Sequence, residues 1–92
     1  MEVKHVYDAS KGYFVMMDGV HEAGRMTYSI AGPTKIIVDH TEVNEQYAGQ
    51  GIGLKILDAI VDYARQQHIQ IVPLCPFAKA SLHKYDKYKD ML

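Results

Sequence analysis

The sequence predicts an α+β fold in which helices pack on a mostly antiparallel sheet. Over residues 1–43 the apolar residues follow a period near two, and turn-forming residues divide the pattern, as is typical of consecutive strands. From residue 52 the period lengthens to about 3.6, which indicates a helix. A short apolar segment then precedes a second helical pattern. Strands followed by helix, strand and helix favour the α+β class.

Three strands are predicted at the start of the chain. Residues 2–7 and the β-rich run 13–17 are separated by turn-forming residues. Asp18 and Gly19 predict a tight hairpin, because a type I′ turn needs positive φ and Asp-Gly tolerates it. Apolar and polar residues then alternate over 20–30, which predicts a strand with one face in solvent.

A fourth strand, Lys35–Val43, is predicted at the middle of the sheet. Its first half is apolar on both faces, as a central strand requires. A period of two counted from Ile36 and Val38 places His40 and Glu42 on that same face. We therefore expect two polar side chains beside the core on this strand.

Two helices are predicted in the second half of the chain. The first follows a glycine-rich loop, and its apolar stripe consists of Ile52, Ile56, Ile60 and Ala64 with Leu57 and Val61 beside them. A strand over 69–74 comes next. Cys75 and Pro76 follow it, and proline favours the first position of a helix, which we predict over 77–88.

Composition and charge bound the classes of function. The 92 residues suffice for one small domain, which we place over 1–92. Ten basic against eleven acidic residues give a net charge of −1, so nucleic-acid binding through bulk electrostatics is disfavoured. No apolar run approaches the roughly 20 residues that cross a bilayer. The single cysteine excludes an intramolecular disulfide. We expect a cytoplasmic protein without nucleic-acid or membrane partners.

The most informative feature is the loop that joins the fourth strand to the first helix. It carries alternate glycines at 49, 51 and 53. Glycine has no Cβ to hold a ligand away, and the first N–H groups of a helix lack internal partners, so this loop suits an anion such as phosphate. A turn or a close helix–sheet contact would use the same glycines. Leu54 breaks the Rossmann spacing, and Lys55 is not followed by the Ser or Thr of a P-loop.

Three separated motifs resemble one family. They are Asp39-His40-Thr41-Glu42-Val43, Gly49-Gln50-Gly51-Ile52-Gly53 and Val72-Pro73-Leu74-Cys75-Pro76-Phe77. In this order they are similar to the small, single-domain subfamily of the GCN5-related N-acetyltransferases (GNAT superfamily), over about residues 13–90. The resemblance implies a GNAT-like fold with a reduced N-terminal part, because larger members carry N-terminal helices that help to shape the acceptor pocket.

The resemblance implies acetyl-coenzyme A as the cofactor and an amine as the acceptor, which a protein could carry. In the family, the strand before the loop presents backbone groups to the pantetheine and acetyl units, here near Val43. The strands matching Lys35–Val43 and 69–74 splay apart, so that the pantetheine arm enters the gap. The cradle for the pyrophosphate corresponds to Ala48, Gly49, Gln50, Gly51, Ile52, Gly53 and Leu54. Ala48 stands where the family usually has Arg or Gln, so the cradle would rely on backbone N–H groups.

Cys75 and His40 are the main candidates for catalysis. Cys75 is expected where a strand ends and a helix begins, where free N–H groups and the helix dipole stabilise a thiolate. It would accept the acetyl group transiently or line the site; a free cysteine is also often a small buried hydrophobic residue. His40 could be a general base or a structural histidine, and Tyr85 is a weaker candidate for an acid. We expect no metal site, since no two histidines have the spacing of metal ligands.

Three functions are compatible with these observations. The first is an N-acetyltransferase that acts by direct or Cys75-assisted transfer. The second is a non-catalytic module that binds acetyl-coenzyme A without turnover. The third is a structural interaction domain with a vestigial glycine loop. Binding of the cofactor separates the third from the others, and repeated release of free thiol separates the first from the second.

Overall fold

A computed structural model describes residues 1–91 and contains one five-stranded sheet whose spatial order follows the chain. The first four strands pair with one another in antiparallel order, and the fifth pairs with the fourth in parallel. The strands are β1 (Glu2–Tyr7), β2 (Lys11–Asp18), β3 (His21–Ile30), β4 (Lys35–Val43) and β5 (Gln70–Pro73). The fold is therefore the mostly antiparallel α+β sheet that the sequence predicts.

Two α-helices pack side by side on one face of this sheet. Helix α1 (Ile52–Gln67) joins β4 to β5, and α2 (Pro76–Lys84) follows β5. The apolar stripe of α1 is buried against β2, β3, β4 and β5, and the ring of Phe77 on α2 lies directly against Gly53 on α1. We call the face that carries both helices the covered face and the opposite one the open face. None of the described helices is long and apolar enough to cross a membrane.

The core lies between the covered face and the helices. Its strand side chains include Phe14, Met26 and Tyr28, all at most 4% exposed. At the end of the sheet where β1 finishes and β4 begins, which we call the aromatic end, His5 stacks on Phe14 with ring centroids 3.9 Å apart. Tyr63 of α1 closes this cluster against His5 at 4.6 Å. Aromatic packing thus joins the first strand to the helix layer.

Two elements differ from their prediction at the ends. Asp18 pairs with His21, so the two turn residues of the hairpin are Gly19 and Val20. The turn is therefore displaced by one position from the predicted one. It is also not a type I′ turn, because that type needs positive φ at both turn residues and only Gly19 has it (62°). The helix predicted over 77–88 ends at Lys84, because Tyr85 adopts an extended conformation. A 3-10 helix, Asp86–Met91, completes the described chain.

An extra residue in β4 changes which side chains of its second half point to the covered face and which to the open face. Two consecutive residues of β3 pair with Val38 and His40, which leaves Asp39 as the extra residue of a bulge. Val38 is fully buried, whereas the side chains of His40 and Glu42 are 63% and 70% exposed. The prediction that His40 and Glu42 share a face with Val38 was therefore wrong, because a period of two holds only where pairing is unbroken.

Candidate active site

The gap between β4 and β5 opens where their pairing ends. The last paired residues are Val38 and Pro73, and the N–H groups of Leu74 and Cys75 both donate to the carbonyl of Val38, at 2.9 and 3.0 Å. Beyond this point β4 continues to Val43 without a described strand on the β5 side. Pairing of β4 with β5 therefore ends midway along β4, as a gap between the two strands requires.

The glycine loop is tied to the rest of the fold before it reaches α1. The N–H of Asn44 donates to the carbonyl of Ala23, and the side chain of Asn44 accepts from the N–H of Gln46, which caps a 3-10 helix at Glu45–Tyr47. The hydroxyl of Tyr47 donates to Asp18 at the β2–β3 hairpin, at 2.8 Å. These contacts fix the start of the loop, and its glycine-rich part follows them.

The glycine-rich part leaves a row of backbone donors free. Gly49 and Gly51 have φ of 80° and 72°, a conformation that other residues rarely adopt. Gly51 is the N-cap of α1 and has no side chain to satisfy the helix. No described residue accepts a hydrogen bond from the N–H groups of Gly49, Gly51, Ile52, Gly53 and Leu54. Those of Ala48 and Gln50 already donate, to the carbonyls of Glu45 and Tyr47.

A cleft of about 370 Å³ lies beside these donors. Thr41 and Val43 of β4 form one side, the loop and Leu54 form another, and Phe77 of α2 closes it. A Cβ added to Gly53 would lie 2.8 Å from the Phe77 ring, so this glycine allows the two helices to meet here. The volume lies within the range of small-molecule sites.

Cys75 lies behind one wall of this cleft. It is the N-cap of α2, as the sequence predicts, and is 4% exposed. Its Sγ lies 3.0 Å from Oγ1 of Thr41, which lines the cleft. We did not identify Thr41 as a site residue from the sequence, because only the bulge turns it toward α2.

His40 lies on the open face and not beside Cys75. Its Nε2 is 3.3 Å from Oε1 of Glu42, and both side chains are largely exposed. The bulge therefore separates the two predicted catalytic residues onto different faces of the sheet. Tyr85 does not line the cleft; its ring packs edge-on against Tyr88, with centroids 6.1 Å apart.

Comparison with a family model identifies the class of protein. The model described as "GCN5-related N-acetyl-transferase" matches residues 12–91, so the chain belongs to this family. The resemblance that the three sequence motifs indicate is confirmed. No curated protein matches the sequence.

Solved structures share the fold. The solution structure of a GCN5-like protein from Staphylococcus aureus is 34% identical, with a TM-score of 0.77, over 98% of this chain and 85% of that one. Ribosomal-protein-alanine N-acetyltransferase from Brucella melitensis and GCN5 from Tetrahymena are each 17% identical, with TM-scores of 0.70. This chain spans 62% and 51% of their lengths. These two show the fold alone.

Proposed function

We propose that this member of the family binds acetyl-coenzyme A at the glycine loop and transfers the acetyl group to an amine. The observation that carries the proposal is the row of five free N–H groups at the start of α1. Backbone donors at a helix N-terminus suit the oxygens of a diphosphate, and the helix dipole adds to the attraction. The adjoining cleft extends from these donors along β4 as far as Thr41. The free thiol of Cys75 is compatible with the reducing cytoplasm that we propose as its location.

The binding residues divide into two groups. Gly49, Gly51, Ile52, Gly53 and Leu54 would donate N–H groups to phosphate oxygens. Ala48 and Gln50 would hold the loop, since their own N–H groups are already used, and the backbone of Val43 would line the entrance to the gap. When bound, acetyl-coenzyme A supplies an acetyl group on a thioester, whose sulfur is a good leaving group.

In the direct route, the chain's residues position the acceptor and manage one proton. The acetyl group would pass from the thioester sulfur to the amine nitrogen, with coenzyme A leaving as the thiolate. The nitrogen would then lose a proton. His40, exposed at the middle of β4 and held by Glu42 at 3.3 Å, could take this proton from the open face and return it to solvent.

In the assisted route, Cys75, after losing its proton, would take the acetyl group as coenzyme A leaves with the electron pair of the broken carbon–sulfur bond; the amine would then take the acetyl group and release the Cys75 sulfur. This route needs the thiolate, which attacks far better than the thiol. The hydroxyl of Thr41 at 3.0 Å would stabilise that thiolate by donating to it. Because Cys75 is 4% exposed, the side chain of Thr41 would have to move aside during attack.

A non-catalytic binding module is the second candidate. One observation favours it: the bulge places Cys75 and His40 on different faces, so no described pair forms a preassembled nucleophile and base. A module of this kind would bind acetyl-coenzyme A with the same cradle and release no free thiol.

Calorimetric titration with acetyl-coenzyme A tests the binding site. We propose Gly51→Asp as the decisive variant, because aspartate tolerates positive φ and places a negative charge in the cradle. We expect its affinity to fall at least about ten-fold, or roughly 1.4 kcal/mol. Gly19→Asp is the matched control, since Gly19 also has positive φ, with no atom within 4 Å of an added Cβ. Equal affinity of both variants would refute the cradle.

Release of free thiol from acetyl-coenzyme A, measured with a panel of amines, tests turnover. Loss of activity in Cys75→Ser with binding intact would support the assisted route, and full activity would support direct transfer. Loss in His40→Ala, again with binding intact, would assign the proton to that residue. Binding without turnover for every amine would favour the module.

A further inference from the structure

One carboxylate ties the bulge of β4 to the neighbouring strand. Asp39 is the extra residue of the bulge, and it accepts hydrogen bonds from the hydroxyls of Thr27 and Ser29 on β3, the latter at 3.0 Å. These two residues are two positions apart, so both side chains point to the open face. Each carboxylate oxygen of Asp39 takes one of the two donors.

The two hydrogen bonds specify where the extra residue lies. Asp39 is placed between two cross-strand pairs, Tyr28 with Val38 and Thr27 with His40. From this place its carboxylate reaches the hydroxyls on either side of the first pair. An extra residue further along β4 would leave Asp39 directly opposite Thr27, and the second hydroxyl would then be at the longer diagonal distance. The hydroxyls of β3 therefore favour a bulge at this position.

The place of the bulge decides how the next two residues face. Asp39 and His40 both lie toward the open face, since a bulge lets two successive side chains share one side. Thr41 then returns to the covered face, where its Oγ1 lies 3.0 Å from Sγ of Cys75. With the extra residue beyond Thr41, His40 would point into the core, and Thr41 would point to the open face.

Both proposed routes of transfer need this orientation. The direct route uses His40 on the open face, and the assisted route uses the hydroxyl of Thr41 beside Cys75. Among the described residues, those that line the cleft include Thr41 but not Asp39 or its two donors. Asp39 would therefore act on the reaction only through the residues that follow it.

We propose that Asp39 is a positioning residue for acetyl transfer. Its two hydrogen bonds to β3 fix the place of the bulge, and the bulge sets the directions of His40 and Thr41. This inference rests on the proposed acetyl transfer and adds the side chain that orients the groups on β4.

The first test is an NMR measurement on the full chain without acetyl-coenzyme A. Side-chain protons of Thr41 and Cys75 should show a nuclear Overhauser effect, because Oγ1 and Sγ are 3.0 Å apart. Asp39→Ala removes both hydrogen bonds to β3. We expect it to weaken this effect and to shift the ring signals of His40.

A second variant removes the same hydrogen bonds from the other strand. Thr27→Val together with Ser29→Ala deletes both donors, and valine retains a high preference for strands. This double variant should give the same NMR changes as Asp39→Ala, and it provides the test if Asp39→Ala does not fold.

Kinetics separates positioning from binding. With an accepted amine, Asp39→Ala should lower kcat about ten-fold or more, because a displacement of about 1 Å can cost a reaction up to about a hundred-fold in rate. Affinity for acetyl-coenzyme A should change little, since Asn44 and Tyr47 anchor the glycine loop independently. Adding Asp39→Ala to the double variant should lower kcat no further, because both changes remove one interaction.

Asp39→Asn separates positioning from charge. Its amide oxygen can accept from one hydroxyl and its NH₂ group can donate to the other, so we expect it to keep most of the kcat. Asp8→Ala is the matched control, because Asp8 also accepts from a serine hydroxyl, that of Ser10 at 3.1 Å, but lies between β1 and β2. It should leave kcat unaltered.

The outcomes separate this inference from the proposed function. An unchanged Overhauser effect between Thr41 and Cys75 in Asp39→Ala would overturn it, and so would a loss of kcat in Asp39→Asn as large as that in Asp39→Ala. NMR changes as expected, in a protein that transfers acetyl to none of the amines, would instead remove the proposed function and the role in transfer, and leave Asp39 as the residue that fixes the bulge.

Discussion

The aromatic end of the sheet and the end that carries the glycine loop are built in opposite ways. At the aromatic end, polar groups have partners inside the fold: Nε2 of His5 lies 2.6 Å from the hydroxyl of Tyr28, and aromatic rings surround both. At the loop end, five backbone N–H groups have no described acceptor, and a cleft adjoins them. Satisfied groups contribute to stability, whereas free donors can bind a ligand. Stability and binding are thus assigned to different ends of one small sheet.

Truncation at the buried half of β4 should give the largest effect on stability. Ile36 is 2% exposed and pairs with β3 on one side and β5 on the other. Ile36→Ala should lower the free energy of unfolding by about 3 kcal/mol, because it leaves a cavity. Denaturant unfolding measures this, with His40→Ala as the control on the exposed half of the same strand. The affinity of the folded Ile36→Ala protein for acetyl-coenzyme A should be unchanged; a large loss would mean that the two ends are not independent.

A methyl group at Gly53 should affect both properties. Alanine normally stabilises a helix relative to glycine, but here the new Cβ would lie 2.8 Å from the Phe77 ring. We expect Gly53→Ala to destabilise the fold by about 1–2 kcal/mol, as overpacking does, and to weaken binding of acetyl-coenzyme A. Adding Phe77→Leu should restore stability. If Gly53→Ala instead raises the free energy of unfolding, α1 and α2 can move apart to accept the methyl group without loss of stability.

Loss of the loop anchor should change binding more than stability. Tyr47→Phe removes the hydrogen bond to Asp18, which is exposed and should therefore contribute little to folding. Because this bond holds the start of the glycine loop, calorimetry should show a several-fold loss of affinity for acetyl-coenzyme A. Tyr7→Phe, a change at an exposed tyrosine of the aromatic end, should leave affinity unaltered. Equal affinities of the two variants would show that the loop needs no anchor.

The smallest effect concerns pH at the aromatic end. Burial lowers the pKa of His5 below 6.5, and burial, with smaller contributions from nearby Tyr63, Tyr7 and Asp8, raises the pKa of Tyr28 to about 12. At neutral pH the His5 ring is neutral and the Tyr28 hydroxyl is protonated, so this hydroxyl can donate to Nε2 of His5. Below pH 6.5, His5 takes up a proton in the unfolded state more readily than in the folded state. The contribution of neutral His5 to the free energy of unfolding is therefore complete above pH 6.5 and declines as the pH falls toward the pKa of His5 in the folded state.

His5→Phe isolates this contribution while keeping a ring against Phe14. The melting temperature of the unaltered protein should fall more between about pH 7.5 and about pH 5.5 than that of the variant. Parallel decreases in the two proteins would mean that other groups cause the whole pH dependence.

Much of the fold could be predicted, because periodicity records local structure. The bounds predicted for β1 and β4 agree with the structure, and α1 begins where the glycine loop predicts it. The position of Cys75 at a helix N-cap also followed from the proline after it. The end of α2 could not be predicted, since Tyr88 is buried in a separate 3-10 helix, where its hydroxyl donates to Asp58 on α1.

The candidate site shows the limit of such prediction. The glycine loop could be predicted from the sequence, because three alternate glycines directly before a helix are typical of an anion-binding loop. The hydrogen bond that anchors it could not, because Tyr47 and Asp18 are 29 positions apart. Nor was the approach of Thr41 to Cys75 or the orientation of Asp39, since each depends on the bulge.

The sequence by itself determined the class of fold, the succession of elements and the glycine-rich entry to α1, because alternation, apolar stripes and glycine act over a few neighbouring residues. Only the tertiary structure decided which side chains of β4 meet α2 and which meet the open face. One inserted residue reverses every later side chain of a strand, and its position depends on how the strand pairs with its neighbour.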